Sequence, residues 1–298
     1  MKKWFFNLIF LFFTFNILSC KIPIQDAGFI NSTSDTLRIA TYNVRIKTSG
    51  DIDKRAWDER KPFVAQLINS NRFDVFGVQE LVNQKQENDL KVLLPSFNFF
   101  SKGRDDTQGT SGERLTIFYN KNRFNELDNG FFFLSETPEI ASKGWDAALN
   151  RICVWVKLYD KVNKKTYFFF NVHFDHIGTT ARAQSAALVV KKMNEIARDE
   201  TTFCVGDFNA SPYETAVYKT MTAKYTDGKI VYNSETSGSM GTFNGWDVSK
   251  DKFPENVRID YIFTAKVRIL AYKVLTDKYV PETYPSDHFP VMMLCLME

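Results

Sequence analysis

Short apolar runs rich in β-branched and aromatic residues recur along the chain and predict a protein with many strands. Each run is bounded by polar or turn-forming residues, as is typical of β-strands. Several runs follow one another without a helical segment between them, so the predicted sheets are mixed rather than wholly parallel. The runs are Leu37 to Tyr42, Val75 to Val78, Leu115 to Tyr119, Ile152 to Leu158, Tyr167 to Val172, Thr202 to Val205, Ile259 to Phe263, Val267 to Leu275 and Val291 to Leu296.

A helical period is clearest between about Thr180 and Asp199, where small and apolar residues recur every three or four positions. Two further helices are predicted from Ala56 to Ser70 and from Gln84 to Leu94. The Gly- and Ser-rich stretch from Lys102 to Gly112 is predicted to be a long surface loop. Two packed mixed sheets with helices outside them fit this α/β pattern best.

The first nineteen residues differ in composition from the rest of the chain. Two lysines precede residues 4–18, which are almost wholly apolar, and this pattern indicates a secretory signal rather than a spanning helix. The Leu-Ser-Cys sequence that ends at Cys20 resembles the lipobox of bacterial lipoproteins, which implies lipidation of Cys20. The alternative is an ordinary signal peptide followed by an incidental cysteine. We expect residues 20–35 to be a flexible tether and residues 36–298 to fold.

Charge and cysteine content narrow the classes of function. Of 38 basic and 35 acidic residues, 36 and 35 remain once the signal is removed, so net charge does not favour binding to a long polyanion. The other cysteines, Cys153, Cys204 and Cys295, lie in apolar runs and are predicted to be core residues rather than disulfide partners. We expect an exported monomer, lipid-anchored to a bacterial membrane on its periplasmic or outer face, with no obligate protein partner.

Polar residues suited to metal or phosphate chemistry stand at the ends of several predicted strands. Each of the chain's three histidines also lies within two residues of an aspartate. If these strand ends gather at one edge of the sheets, carboxylates, amides and imidazoles meet in one cleft. A hard cation such as Mg²⁺ takes oxygen ligands, and Glu80 is the best single candidate. The residues are Asn43, Glu80, His173, Asp207, Asn209, Asp260, Asp287 and His288.

Each of these segments also has an ordinary structural explanation. An Asp-Phe-Asn triplet such as that at Asp207 is most often a turn with Asx hydrogen bonds. Asp260, between apolar residues, would suit a buried and satisfied carboxylate. Glu80 would suit a helix cap. The joint pattern, rather than any one segment, favours a metal-assisted phosphoester site.

In its motifs and their order, the chain from Leu37 to the C-terminus resembles the endonuclease/exonuclease/phosphatase superfamily. That resemblance implies a four-layer α/β/β/α sandwich and a Mg²⁺- or Mn²⁺-dependent hydrolase of phosphoester bonds. The motifs are Thr41-Tyr42-Asn43-Val44, Val78-Gln79-Glu80, Gly112-Glu113-Arg114, Asn171-Val172-His173, Gly206-Asp207-Phe208-Asn209, Arg258-Ile259-Asp260-Tyr261 and Ser286-Asp287-His288-Phe289-Pro290.

The resemblance also implies roles for these residues. Asn43 and Glu80 would bind the metal, with Asp287 near it. Asp207 and Asn209 would position the attacking water and the scissile phosphate. Two histidine–carboxylate pairs are also implied, in which the carboxylate holds the ring in one tautomer. These pairs are Asp260 with His288, and Glu113 with His173.

Besides Asn43, three further residues are candidates for substrate binding. Arg151 would bind phosphate with its planar fork or pair with Asp146 on a surface loop. Trp145 would stack on a substrate ring or simply pack. His176 would contact substrate or form a local hydrogen bond. The substrate is predicted to be a phosphodiester, with a phosphomonoester or a phospholipid head group as the alternative. A catalytically silent binding lipoprotein is the non-enzymatic alternative.

Overall fold

The computed structural model describes residues 35–233, 235–279 and 283–297, so the predicted signal and Cys20 lie outside the described residues. In that part of the chain, twelve strands form two six-stranded sheets. The first sheet has the order β11-β12-β1-β2-β4-β3 and the second β5-β6-β7-β8-β10-β9. The strands are β1 Thr36–Asn43, β2 Val75–Leu81, β3 Phe97–Gly103, β4 Arg114–Asn120, β5 Phe124–Phe133, β6 Ile152–Asp160, β7 Lys165–His173, β8 Thr201–Asp207, β9 Thr226–Asp227, β10 Asp260–Ala265, β11 Val267–Val274 and β12 Val291–Met297.

Three apolar clusters show how the layers are stacked. The largest joins the inner faces of the two sheets, with residues such as Ile117 and Val154. A second places the outer face of the first sheet against α1 and α2, and a third places the outer face of the second sheet against α3 and α4. The predicted four-layer α/β/β/α sandwich is confirmed. The helices are α1 Trp57–Ser70, α2 Asn83–Leu93, α3 Thr179–Ala197 and α4 Thr215–Thr222.

The strands and helices that sequence periodicity did not predict lie mainly at the margins of the sheets. Strands β3 and β5 are edge strands with half-exposed or exposed residues along much of their length, so neither has a continuous apolar run. Helix α4 has only eight residues. The predicted loop from Lys102 to Gly112 needs a correction, because Lys102 and Gly103 belong to β3.

The cysteines of the described chain agree with the prediction from sequence. Cys153, Cys204 and Cys295 are free thiols and are buried. None of the helices in the described ranges is long and apolar enough to cross a membrane.

Strand direction brings the predicted polar residues to one edge of the sandwich. In the first sheet β1 and β2 run parallel, and β12 runs antiparallel to β1, so the end of β1 lies beside the start of β12. In the second sheet β7 and β8 are parallel, and β10 is antiparallel to β8. His173 therefore pairs in register with Asp207, which pairs in turn with Asp260. These three residues form one row across three neighbouring strands.

Glu80 reaches this edge from within a strand rather than after one. The run predicted for this strand ends at Val78, but β2 continues to Leu81. The register of β2 against β4 shifts between Val78 and Leu81, and Glu80 has a φ of 65°. A bulge of this kind re-aims a side chain and is common beside active sites. The positive φ is unfavourable for a residue with a side chain, so packing around the bulge must hold Glu80 in place.

The two sheets approach closely just below this edge. Gln79 Nε2 donates to Asn171 Oδ1 at 2.7 Å, which joins the sheets by a buried hydrogen bond. Asn171 Nδ2 donates in return to the carbonyl oxygens of Val78 and Thr116. A Cβ on Gly77 would lie 2.7 Å from the Asn171 carboxamide and from Val205. Gly77 is therefore required by lack of space between the sheets.

We predict that Gly77→Ala lowers the free energy of unfolding by about 1–3 kcal/mol, since overpacking forces neighbouring groups to shift. Gly50→Ala is the matched control, because the nearest atom to a Cβ there is 3.9 Å away. That control should change stability by no more than about 0.5 kcal/mol. Urea denaturation checks both values, and equal stabilities for the two variants would contradict the account of the sheet contact.

Candidate active site

Asp207 is the centre of the polar cluster at this edge and is 1% exposed. Its Oδ2 atom accepts a hydrogen bond from Asn43 Nδ2 at 3.0 Å. The same oxygen lies 3.6 Å from His173 Nε2 and 3.8 Å from His288 Nε2. Its Oδ1 atom accepts from the backbone N–H of Asn209 at 2.8 Å. One buried carboxylate thus touches both sheets and faces two imidazole rings.

The segment after Asp207 is a turn as well as part of the cluster. The hydrogen bond from Asn209 N–H to Asp207 is the Asx bond that the ordinary structural explanation requires. Asn209 adopts a left-handed φ of 47°, and its Nδ2 donates to the Phe174 carbonyl at 3.0 Å. The turn therefore holds Asn209 beside Asp207, and the two explanations of this motif are compatible.

His288 and Asp260 form a buried pair on one side of Asp207. His288 Nδ1 lies 3.0 Å from Asp260 Oδ2, an arrangement in which Nδ1–H donates and Nε2 faces Asp207. Burial lowers the pKa of His288, but the carboxylates of Asp260 and Asp207 outweigh burial and raise that pKa from 6.5 to about 10. Burial raises the pKa of Asp260 above its usual range. The two neighbouring carboxylates therefore favour the charged form of the His288 ring.

Glu113 and His173 form a second pair on the other side of Asp207. His173 Nδ1 lies 3.0 Å from Glu113 Oε1, which leaves Nε2 directed at Asp207. Arg104 Nη1 lies 3.0 Å from the other oxygen of Glu113. Burial raises the pKa of Glu113, but His173, Arg104 and Arg151 more than offset burial and bring it to about 2. The carboxylate is therefore ionised and fixes the ring of His173.

Glu80, Asn43 and Asp287 lie on the side of the cluster formed by the first sheet. Asn43 Nδ2 donates to Glu80 Oε1 at 2.9 Å as well as to Asp207, so two carboxylates converge on one point. Glu80 Oε2 accepts from the backbone N–H of Ile46 at 2.8 Å. Burial, and then the charge of Glu80, raise the pKa of Asp287, although nearby cations oppose this.

The donor set at this point fits a divalent cation. Carboxylates that converge and repel one another are stabilised by a cation between them, and oxygen ligands suit Mg²⁺ or Mn²⁺. Ligand atoms of Glu80, His173 and Asp207 lie within 4.8 Å of one another. Asp207, Asp260 and His288 form a second such group among the described residues. The first group contains Glu80 and lies beside Asn43, so it agrees better with the predicted metal ligands.

Arg151 lies beside Glu113, and His176 lies beside Arg151. Arg151 Nε lies 3.4 Å from Asp175 Oδ2, and Nη2 lies 3.0 Å from His176 Nδ1. The alternative that Arg151 pairs with Asp146 is wrong. Asp146 instead accepts hydrogen bonds from two backbone N–H groups at the start of α3.

Trp145 lies on the loop that leads to Arg151, with a left-handed φ of 52°. Its backbone N–H donates to the carboxylate of Glu136. The hydrogen bonds of Trp145 therefore hold the loop and do not involve the carboxylate cluster.

Several residues that support the cluster were not predicted to do so from the sequence. Ser286 Oγ donates to the Asn43 carbonyl at 2.7 Å and so joins the start of β12 to the end of β1. Thr242 Oγ1 accepts from the backbone N–H of Asp260 at 3.0 Å. The ring of Phe243, which is 37% exposed, packs edge-on against His288 with centroids 5.0 Å apart. Ser286 belongs to the motif Ser286-Asp287-His288-Phe289-Pro290. By contrast, no sequence pattern predicted that Arg104 contacts Glu113.

Comparison with known proteins identifies the family. The sequence model of the Endonuclease/Exonuclease/phosphatase family matches residues 13–288. The chain belongs to this family. A protein of the family from Bacteroides thetaiotaomicron is 37% identical, with a TM-score of 0.81 over 88% of this chain and 98% of that chain. A mannosyl-6-phosphatase from Bacteroides thetaiotaomicron is also 37% identical, with a TM-score of 0.80 over 88% of this chain and 100% of that chain.

A more distant solved structure shares the fold. TDP2 from D. rerio, complexed with a single-strand DNA product, is 18% identical with a TM-score of 0.69 over 87% of this chain and 98% of that chain. A probable RNA exonuclease from Schizosaccharomyces pombe is 24% identical over 60% of this chain and 37% of that protein. The chain is therefore a member of a family of phosphoester hydrolases, and its cluster has the acidic and imidazole groups that could hold a divalent metal.

The raised pKa of His288 predicts how stability depends on pH. A group whose pKa is higher in the folded state stabilises that state below its unfolded pKa, and this stabilisation is lost as pH rises through the folded pKa. The free energy of unfolding of chelator-treated protein should therefore fall between about pH 6.5 and about pH 10. His288→Asn should flatten this decline in denaturant titrations at several pH values. An equally steep decline in the variant would show that His288 is not its source.

Proposed function

We propose that the protein is a divalent-metal-dependent phosphoesterase, with Mg²⁺ or Mn²⁺ as the metal, in which water attacks phosphorus in line with the leaving group. The observation that carries this proposal is the convergence of strand ends from both sheets on Asp207. Hydrogen bonds and imidazole contacts there join Asn43, His173 and His288 to one carboxylate. A purely structural buried acid would not need two histidines, each held by its own carboxylate.

Glu80, Asn43 and Asp287 would hold the cation, which when bound supplies positive charge to the phosphoryl oxygens. In the structure Asn43 presents its Nδ2 to both carboxylates, while its Oδ1 accepts from the Arg45 backbone N–H. Coordination through Oδ1 would require the carboxamide of Asn43 to turn. Glu80 and Asp287 need no such rotation, since both atoms at the end of a carboxylate are oxygens.

The remaining residues of the cluster would accept and donate protons and would position the phosphate. A bond forms between the water oxygen and phosphorus, and the water proton passes to the Asp207–His288 pair. The bond from phosphorus to the leaving oxygen breaks, and His173, in its doubly protonated form, donates the Nε2 proton to that oxygen and becomes neutral. Asp260 and Glu113 hold the two rings in the required orientation. Asn209 would position the phosphate.

The substrate we propose is a small phosphomonoester on a sugar. Two observations favour it over the phosphodiester predicted from sequence. A mannosyl-6-phosphatase is 37% identical and matches along its full length, whereas the exonuclease relative is 24% identical over a smaller part. The predicted mature chain also has nearly balanced charge, which does not favour tight binding to a long polyanion. A phosphodiester is the second candidate, supported by that exonuclease similarity.

A catalytically silent binding protein is the competing hypothesis. Loss of catalysis would be expected to remove an acid or a histidine from the cluster, yet both histidines are present and each still contacts Asp207 and a second carboxylate. Binding without metal-dependent turnover of any phosphoester would support that hypothesis instead.

We predict that Glu80→Gln lowers kcat/KM for phosphoester hydrolysis at least about a hundredfold, because it removes a negative ligand while keeping the side chain's shape. The thermal midpoint should change little. Glu126→Gln is the control, since this carboxylate on edge strand β5 pairs with Tyr119 and Asn129 rather than with the cluster. Phosphate release is measured with Mg²⁺ and with EDTA. Full activity of Glu80→Gln would exclude Glu80 as a metal ligand.

We also propose that the protein is exported and anchored to a bacterial membrane by lipid on Cys20. The support is the basic start, the apolar run and the Leu-Ser-Cys ending. A buried acyl methylene contributes about 0.8 kcal/mol, and several chains together anchor a protein stably.

The anchor predicts that the full-length protein sediments with membranes and enters the detergent phase on phase partitioning. Cys20→Ser should abolish lipidation and leave the unprocessed precursor. Mass spectrometry of the mature N-terminus checks the modification directly. A soluble mature chain with an unmodified N-terminus would show that Cys20 is incidental.

A further inference from the structure

We propose that Arg151 and His176, held in place by Asp175, form a subsite that recognises the hydroxyl groups of a sugar leaving group. The inference rests on the proposed phosphoesterase function and names which part of the substrate these residues contact. It concerns a part of the molecule that the metal and the two catalytic pairs do not use.

The buried side chain of Asp175 holds this subsite together. It is 1% exposed, and its carboxylate accepts hydrogen bonds from four backbone N–H groups at 2.8–3.3 Å. Two of these belong to Ala148 and Leu149, in the loop before β6, and two belong to Ile177 and Gly178, before α3. One buried side chain therefore ties together the two loops that carry Arg151 and His176.

This arrangement holds Arg151 in place but does not use all of its hydrogen-bond donors. Its Nε lies against Asp175 and its Nη2 against His176. Its Nη1 lies 3.9 Å from Glu113 Oε1 and has no hydrogen-bond partner among the described residues, although the side chain is only 5% exposed. A buried donor without a partner carries a desolvation cost, which a substrate oxygen would offset. The site therefore has an unused donor on a rigid support.

His176 supplies a second donor beside Arg151. A guanidinium group has only donors, so the 3.0 Å contact requires His176 Nδ1 to accept from Arg151 Nη2. The proton of the neutral ring then lies on Nε2. The side chain of His176 is 48% exposed, so the ring is accessible from solvent.

Position and charge indicate what the two donors bind. Glu113 contacts both Arg151 and His173, the proposed donor of a proton to the leaving group, so the subsite lies on the leaving-group side. Arg151 is matched by the carboxylate of Asp175, and Arg104 by that of Glu113. Because the positive charges are compensated, the subsite suits neutral hydroxyl oxygens better than a second phosphate.

The test compares mannose 6-phosphate with cyclohexylmethyl phosphate, which has the same kind of primary alkoxide leaving group but no additional hydroxyls. In the wild-type protein with Mg²⁺, kcat/KM should be higher for mannose 6-phosphate. His176→Ala and Arg151→Met should each lower the ratio of the two kcat/KM values by about tenfold or more, the loss typical of a hydrogen bond to a charged or polar donor. His176 is half-exposed, so its variant should fold even if Arg151→Met does not.

Arg123→Met is the matched control. Arg123 also pairs with a buried aspartate, Asp160, but it lies near the start of β1, at the opposite end of the sheets. This variant should lose stability and keep the wild-type ratio.

The inference would be overturned by a wild-type ratio near one, by unchanged ratios in both subsite variants, or by preference for a hexose bisphosphate over the monophosphate above about tenfold. Absence of Mg²⁺-dependent hydrolysis of both compounds would overturn the proposed monoesterase as well, so the two failures are distinguishable.

Discussion

Burial of carboxylates where the two sheets meet is the constraint on which the rest of this structure depends. An ionised carboxylate taken out of water is costly unless it is paired and hydrogen-bonded. Three acids of the cluster meet that requirement with amide and imidazole partners, some of which they share. Asp207 accepts a hydrogen bond from the Asn43 amide and faces two imidazoles. Asp260 pairs with His288, and Glu113 pairs with His173. Removal of one partner would leave a buried charge, so these groups are expected to act as a unit.

The topology supplies these partners without long or flexible segments. Parallel pairs in the middle of both sheets end at the same edge, and antiparallel neighbours begin there. The row of His173, Asp207 and Asp260 follows directly from strand register. Asn43 reaches across to this row from the first sheet. The Gln79–Asn171 hydrogen bond and the small Gly77 below it set how close the two sheets can come.

Much of the fold could be predicted from sequence because the central strands are buried on both faces and appear as continuous apolar runs. The edge strands β3 and β5 could not, since half-exposed or exposed residues run along much of β3 and β5 has a polar, exposed middle. The residues of the candidate site could be predicted because most of them stand at the ends of strands. The contacts that hold them could not be predicted. The bulge at Glu80 depends on pairing with β4, and the role of Asp175 depends on backbone N–H groups that no side-chain pattern reveals. Arg151 was assigned a choice of partners, and only spatial proximity shows which aspartate it contacts.

The most direct test of the central claim is the position of Mn²⁺ in crystals of the folded domain, located by its anomalous scattering. The account predicts a peak in contact with the Glu80 carboxylate, beside Asn43 and Asp207, where two carboxylates converge. The Glu80→Gln crystals should show that peak lost or much weakened. A wild-type protein with Mn²⁺-dependent activity whose crystals bind the ion elsewhere, and not at Glu80, would contradict the account.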